Sequence, residues 1–179
     1  MMLHSTIGII SVCLTNYALA ASASFGLYAY GENIGGLQMY YADGNAVVSK
    51  QAPSNATTAA PVIFTHDDDE GLIGNPNTTD SANKPNFTNA SLFVPGSSAE
   101  SHQVGFTDDP SANEVTNKFV WYGNFLMVED DSGEYTSLFT VKKSSSSTND
   151  GEYSLLWNVT DSDEEVIEVS MRSIAPSND

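Results

Sequence analysis

Residues 119–128 read Phe-Val-Trp-Tyr-Gly-Asn-Phe-Leu-Met-Val, two apolar runs separated by Gly123-Asn124. Both runs are short and rich in aromatic and β-branched residues, which favour strands over helices. A two-residue connection with glycine first suits a tight hairpin turn, because glycine adopts a positive φ without strain. This stretch therefore predicts a β-hairpin, and its pattern recurs along the chain.

Short apolar runs bounded by turn residues make up much of the remaining sequence. Asp43-Gly44 separates two of them and predicts a second hairpin. Further runs are residues 62–64, 92–94, 104–106, 138–141, 153–157 and 166–171. No stretch shows a sustained 3.6-residue apolar period, so we expect little or no helix. The pattern predicts an all-β protein, either a β-sandwich or a closed, jelly-roll-like β-barrel.

The chain length of 179 residues suits one domain. Two polar stretches that contain proline, residues 50–60 and 71–90, are expected to be loops with little structure of their own. The sequence shows no internal repeat and no boundary between domains. We therefore expect residues 21–179 to form a single β-sandwich domain that carries these two loops.

Residues 1–20 have the features of a signal peptide. They contain no Asp, Glu, Lys or Arg, and their apolar run is far shorter than the ~20 residues of a membrane span. Ala18-Leu19-Ala20 provides small residues at the spacing that signal peptidase reads. Cleavage after Ala20 removes Cys13, the single cysteine. The sequence thus predicts a secreted protein, extracellular or cell-wall associated, without disulfides.

The charge balance argues against two classes of partner. The chain has 23 acidic residues against 6 Lys plus Arg, a formal net charge of −17 at pH 7. Nucleic-acid binding and docking on anionic membranes both need clustered basic side chains. We therefore expect no nucleic acid, and because residues 174–179 lack the apolar tail of a GPI signal we expect no membrane anchor. The expected partner is a cell-wall glycan or a host extracellular component. The sequence leaves the oligomeric state open.

Five Asn-X-Ser/Thr triplets are candidate N-glycosylation sites, in agreement with secretion. The acceptors are Asn55, Asn77, Asn86, Asn89 and Asn158. The first four lie close together in the sequence and predict a solvated, sugar-bearing region.

The densest acidic cluster, His66-Asp-Asp-Asp-Glu-Gly71, resembles the start of a calcium loop, because alternate carboxylates converge on one hard cation. Asp67 and Asp69 are the candidate metal ligands. The bidentate Glu that completes such a loop is missing downstream. A solvated acidic loop is the simpler interpretation. We expect no cofactor, with calcium at Asp67 and Asp69 as the alternative.

The sequence carries no catalytic signature. A Gly-X-Ser-X-Gly elbow, a His-Glu-X-X-His motif and a glycine-rich phosphate loop are all missing. A glycosidase needs two carboxyl groups about 5 to 10 Å apart, and among 23 acidic residues the sequence singles out no pair. We therefore assign no catalytic residue and favour a binding protein over an enzyme.

Paired aromatic residues favour glycan binding. Side chains alternate along a strand, so one ring of Tyr40-Tyr41 and one ring of Trp121-Tyr122 point away from their neighbours. Rings that face outward stack on the apolar faces of sugars, whereas rings that face inward pack in the core. Tyr41, Trp121 and Tyr122 are the candidate glycan-stacking residues, and core packing is the competing interpretation.

Several stretches resemble a group of small secreted β-rich proteins of filamentous fungi, mostly uncharacterised. They are Phe-Gly-Leu-Tyr-Ala-Tyr-Gly at 25–31, Tyr-Tyr-Ala-Asp-Gly-Asn-Ala at 40–46, Ser-Leu-Phe-Val-Pro at 91–95 and Tyr-Ser-Leu-Leu-Trp-Asn-Val-Thr at 153–160. These are strand and turn signatures, so no functional residue is carried over. The resemblance implies a fungal cell-surface or extracellular setting, with wall or effector-like roles.

Together these features predict a secreted, non-catalytic acidic glycoprotein of the fungal extracellular space or cell wall that acts by binding. One alternative is an enzyme that acts on cell-wall polysaccharide through an unidentified carboxylate pair. The other is a calcium-dependent adhesion module that uses the acidic turns.

Overall fold

The computed structural model describes residues 23–79, 85–144, 151–160 and 165–177, and all regular secondary structure in these ranges is β-strand. The strands are β1 (Tyr28–Gly31), β2 (Ile34–Ala42), β3 (Asn45–Ser49), β4 (Ala59–His66), β5 (Leu72–Pro76), β6 (Ala90–Pro95), β7 (Gly105–Thr107), β8 (Glu114–Val115), β9 (Phe119–Tyr122), β10 (Phe125–Glu129), β11 (Tyr135–Thr136), β12 (Phe139–Lys143), β13 (Glu152–Trp157) and β14 (Ile167–Arg172).

Ten antiparallel strands close into a barrel. They follow one another in the order β1-β2-β4-β5-β6-β7-β3-β13-β12-β14, and β14 pairs again with β1. β2 also pairs with β3 inside this ring. β10 joins the barrel at β14 and carries β9 and β11, while β8 pairs with β6. The predicted all-β class is confirmed, and the closed ring makes the architecture a barrel.

The hairpin predicted around Gly123-Asn124 is present. β9 and β10 pair in register from Tyr122 opposite Phe125 to Phe119 opposite Val128. Gly123 adopts a φ of 61°, which a residue with a Cβ rarely adopts. Turn chemistry therefore places Tyr122 and Phe125 side by side at the tip of the hairpin.

The second predicted hairpin joins β2 and β3 through Asp43 and Gly44, whose φ angles are 47° and 88°. Two consecutive positive φ angles characterise the type I′ turn, which matches the twist of paired strands. The Asp43 carboxylate also accepts hydrogen bonds from the amides of Thr57 at 2.8 Å and Thr58 at 2.7 Å. This residue thus fixes both the turn and the chain that leads into β4.

Side chains alternate between the barrel interior and its outer face. In β14, Val169 and Met171 are buried, whereas Ser170 and Arg172 are partly exposed. In β1, Ala29 is fully buried between two partly exposed tyrosines. In these two strands the buried side chains therefore face the core, and the alternate side chains reach the outer face.

A row of aromatic rings fills part of the interior. Neighbouring ring centroids in this row are 4.0 to 6.2 Å apart. These distances are typical of stacked and edge-to-face pairs, which contribute about 0.5–1.5 kcal/mol each beyond burial. In spatial order, the rings of this aromatic row are Trp121, Phe25, Phe64, Phe106, Tyr41 and Phe87.

The loop prediction for residues 71–90 is wrong in its first part, because Leu72–Pro76 forms β5 between β4 and β6. Gly74 and Asn75 disfavour strands by propensity, which conceals β5 in the sequence. A Cβ at Gly74 would lie 2.9 Å from the Val62 side chain, so glycine permits the close approach of β5 to β4. Residues 80–84 of the same stretch lie outside the described residues.

Candidate functional site

The structure does not bring the three predicted glycan-stacking residues onto one surface. Tyr41 points inward, and its ring stacks on Phe87 with centroids 4.0 Å apart and planes at 10°. Trp121 also points inward, edge-on to Phe25 at 5.2 Å. Its Nε1 is buried and has no hydrogen-bond partner in the described structure. Tyr122 is 76% exposed, so it is the one of the three with an open ring.

Tyr122 begins a row of outward-facing side chains that crosses five strands. Residues directly opposed in a sheet place their side chains on the same face. At about 4.8 Å between strands, the row is roughly 19 Å long. We call this row the outer row. From β9 through β10, β14 and β1 to β2, its residues are Tyr122, Phe125, Arg172, Tyr28 and Gln38.

Arg172 lies at the centre of the outer row between two aromatic rings. Its Cζ is 4.4 Å from the ring centroid of Phe125 and 4.9 Å from that of Tyr30. Its Nε donates a hydrogen bond to Ser170 Oγ at 3.1 Å. The rings hold the guanidinium plane through cation–π contacts. Among the described residues, no carboxylate forms an ion pair with Arg172.

The C-terminal segment, residues 174–177, lies against the outer face beside this row. The Tyr30 hydroxyl donates a hydrogen bond to the carbonyl of Ile174 at 2.9 Å. Pro176 packs so closely on Gly36 that a Cβ there would lie 2.8 Å from the proline Cβ. The segment is thus anchored at two points of the β1–β2 surface.

Two open grooves flank this segment and share Gly35, Ala175 and Pro176 in their walls. The Arg172 groove has a volume of about 520 Å³ and the Lys50 groove about 480 Å³. The Arg172 groove also contains Tyr30, Phe125 and Arg172. The Lys50 groove also contains Tyr28, Gln38 and Lys50.

The electrostatic character of these grooves differs from that of the whole chain. Neither contains an Asp or Glu among its described lining residues, and each holds one of the 6 basic residues. A third groove, beside β10, is lined by Glu129, Asp130 and Asp131, and its Lys118 is paired with Asp131 at 2.7 Å. Among the described lining residues of these two grooves, the charged side chains are therefore both basic, in a protein of net charge −17.

The acidic cluster with Asp67 and Asp69 forms an exposed turn between β4 and β5. The Asp67 amide donates to the Gly71 carbonyl at 3.0 Å, and the Asp67 carboxylate accepts from the Asp68 amide at 2.6 Å. Within the described ranges, no group of three His, Cys, Asp or Glu side chains is arranged to hold a metal ion. The geometry adds no support to the calcium alternative.

The five candidate N-glycosylation acceptors all reach the surface. Asn77 Oδ1 accepts hydrogen bonds from the amide and hydroxyl of Thr79, the threonine of its own triplet, at 3.2 and 2.8 Å. Occupancy by sugar stays a prediction. Asn77 is half-buried, and the exposed acceptors are Asn55, Asn86, Asn89 and Asn158.

The predicted signal peptide, residues 1–20, lies outside the described residues, as does Cys13. In the part of the chain that the structure describes, no helix is long and apolar enough to cross a membrane.

No family model, curated protein or solved structure matches this chain. The function of this protein is therefore inferred from the geometry of the outer row and its two grooves.

Sequence reasoning missed most of the outer row. Phe125 could have been found, since the hairpin around Gly123-Asn124 places it opposite Tyr122. Arg172 joins these rings through its pairing with Phe125 and Tyr28. Those pairings connect strands that are distant in the sequence, and no local pattern encodes them.

Proposed function

We propose that this protein is a secreted, non-catalytic acidic glycoprotein of the fungal extracellular space or cell wall that binds glycan through the outer row. The single observation that carries the proposal is the outer row itself, in which exposed rings and polar side chains share one sheet face. The signal-peptide features, the five glycosylation triplets and the resemblance to secreted fungal proteins support the location.

The chemistry of the outer row suits a sugar polymer. A pyranose ring has apolar faces and a rim of hydroxyl groups, so its binding sites combine flat aromatic rings with hydrogen-bonding side chains. Tyr122 and Phe125 present rings that are 76% and 39% exposed. Arg172 and Gln38 follow in the same row and supply hydrogen-bond donors. An extended row fits a chain of sugars along its length.

The proposed activity is binding rather than hydrolysis. Retaining and inverting glycosidases place two carboxyl groups on either side of the scissile bond. The described residues that line the Arg172 and Lys50 grooves include aromatic rings and hydrogen-bond donors but no carboxylate. These groups suit the binding of a sugar, and the proposal is therefore limited to binding.

Retention of the secreted protein on insoluble chitin, β-glucan, mannan and covalently cross-linked polygalacturonate, with and without a chelator, tests this proposal. We expect retention on at least one polymer, unaffected by the chelator. Tyr122→Ala and Phe125→Ala should each weaken retention about fivefold, because an aromatic contact contributes about 1 kcal/mol. Tyr135→Ala is the matched control, since this tyrosine is 55% exposed on β11, away from the outer row.

Three outcomes contradict the proposal. Retention that survives both ring substitutions, or that falls equally with Tyr135→Ala, removes the outer row as the binding surface. Loss of retention with the chelator supports the calcium-dependent adhesion module instead. Release of soluble sugars, detected by mass spectrometry, supports the polysaccharide-active enzyme.

A further inference from the structure

We propose that Arg172 is a carboxylate-binding residue, so that the glycan recognised by the outer row is a polymer of uronic acids. This inference rests on the proposed glycan binding and specifies its substrate class. It follows from how Arg172 is held, from the charges around it and from the rings beside it.

The guanidinium of Arg172 is preorganised. The rings of Phe125 and Tyr30 lie 4.4 and 4.9 Å from its Cζ, and Ser170 Oγ accepts from its Nε at 3.1 Å. The two terminal Nη groups then remain for a ligand, since no described carboxylate pairs with this residue. A planar guanidinium fixed in this way matches the two oxygens of a carboxylate.

The distribution of charge favours an anionic ligand at this place. The described lining residues of the Arg172 and Lys50 grooves contain no acidic side chain, although the chain has 23. The contrasting groove beside β10 has acidic walls, and its Lys118 is already engaged by Asp131. Among the described residues, Arg172 thus has no ion-pair partner, whereas Lys118 in the groove beside β10 is paired with Asp131.

The net charge of −17 does not prevent this binding. At physiological ionic strength the Debye length is about 8 Å, so distant exposed carboxylates are largely screened from a ligand on the outer row. Interactions at contact distance are screened much less. Local cations therefore decide which charge the two grooves accept.

The exposed rings distinguish an acidic sugar from an acidic peptide. Phe125 stands next to Arg172 in the outer row and Tyr122 stands one strand further along, and both rings offer flat apolar surfaces. A uronic acid residue has a ring face for such a surface and a carboxylate for the guanidinium. A run of Asp or Glu has the carboxylates without the ring face, so it uses half of the site.

The experiment compares binding of the full secreted chain to polygalacturonate and to its fully methyl-esterified form at about 0.15 M salt. The two polymers share one backbone and differ in the charge of the carboxyl group. We expect polygalacturonate to bind at least about tenfold more tightly. Arg172→Gln should abolish this difference, whereas Arg172→Lys should restore part of it, since lysine keeps the charge and loses the planar contact.

The comparison of the two polymers uses the unsubstituted protein, so it does not depend on whether the variants fold. Unfolding curves of Arg172→Gln and Arg172→Lys identify a loss of binding that is caused by misfolding. Tyr135→Ala should retain the preference for the acidic polymer, because its ring lies outside the outer row.

Equal, ring-dependent binding of both polymers overturns this inference and leaves the proposed glycan binding intact. Absence of binding to every polysaccharide, or binding that ignores Tyr122→Ala and Phe125→Ala, overturns both. Polyglutamate that binds as tightly as polygalacturonate points to an acidic peptide and contradicts the inference. Self-association that is lost in Arg172→Gln identifies a second copy of the chain as the occupant and also contradicts it.

Discussion

Thr140 on β12 is a buried polar residue whose hydroxyl has no hydrogen-bond partner in the described structure. Burying an unpaired hydroxyl costs about 1–3 kcal/mol. Thr140→Val removes the hydroxyl and keeps the β-branched shape, so we expect the free energy of unfolding to rise by about 1 kcal/mol in urea titrations. Thr140→Ser keeps the hydroxyl and loses a buried methyl, so it should destabilise by about 1 kcal/mol. A lower stability of the valine variant contradicts the assignment.

The burial of Tyr40 predicts that the protein loses stability at alkaline pH. Its pKa is raised above the ordinary value, first by burial and second by the neighbouring Tyr28. A pKa that is higher in the folded state than in the unfolded state means that the folded protein binds the proton more tightly. This contribution is complete below about pH 10, the unfolded pKa of tyrosine, and is lost as the pH rises through the folded pKa.

Melting temperatures measured from about pH 8 to pH 12 test this sign. We expect the unsubstituted protein to lose stability above about pH 10 and Tyr40→Phe to lose less over the same range. Tyr135→Phe, an exposed tyrosine on β11, is the control and should follow the unsubstituted profile. Identical profiles for the unsubstituted protein and Tyr40→Phe contradict the prediction.

Trp121 and Tyr122 illustrate what the sequence predicts about a single side chain and what it leaves open. Strand alternation correctly indicates that Trp121 and Tyr122 lie on opposite faces. It does not indicate which face is the core, and this depends on the aromatic row that Phe25, Phe64 and Phe106 complete. Trp121 therefore packs against the core, and Tyr122 lies on the surface.

At the scale of elements, turn chemistry carries most of the predictive information. Asp43-Gly44 and Gly123-Asn124 specify their hairpins because positive φ angles are needed there. β5 has no such signal, since Gly74 and Asn75 are typical of loops. β5 forms because β4 and β6 supply hydrogen-bonding partners on both sides. Hydrogen bonding to both neighbouring strands thus outweighs the low strand propensity of these residues.

The contact of the C-terminal segment with β2 predicts a difference between two adjacent glycines. Gly36 has a φ of 79°, and a Cβ there would lie 2.8 Å from Pro176 and 2.9 Å from the Tyr30 hydroxyl. Gly36→Ala should therefore lower the free energy of unfolding by about 1–3 kcal/mol. Gly35→Ala meets nothing within 4 Å and should change it by less than about 0.5 kcal/mol. Thermal and urea unfolding of both variants measure this difference, and equal effects contradict the seating of the segment on β2.

At the scale of the whole molecule, the sequence predicts strands but leaves their closure open. The barrel closes where β14 pairs with β1, from Arg172 opposite Tyr28 to Val169 opposite Gly31. These partners come from the two ends of the described chain, so no local period or turn signal connects them. The same pairing places Arg172 between the rings of Tyr30 and Phe125. A sequence analysis that does not predict the closure of the barrel therefore cannot predict the outer row.

Net charge gives a prediction for the acidic range. The 23 acidic residues face 6 basic ones, so most carboxylates have no Lys or Arg partner and repel one another. Lowering the pH from 7 to 5 moves the solution towards the range in which carboxylates take up protons, and each proton bound reduces this repulsion. Asp130 does not oppose the trend: the Ser132 hydroxyl and nearby backbone amides lower its pKa, and the resulting stability is lost at still lower pH.

We therefore expect the melting temperature to hold or rise from pH 7 to pH 5 at low ionic strength. At about 1 M salt the Debye length falls to about 3 Å, so the same measurement should become almost independent of pH in this range. A melting temperature that falls steadily from pH 7 to pH 5 contradicts the prediction. It would mean that individually hydrogen-bonded carboxylates, rather than their mutual repulsion, control the stability of the barrel.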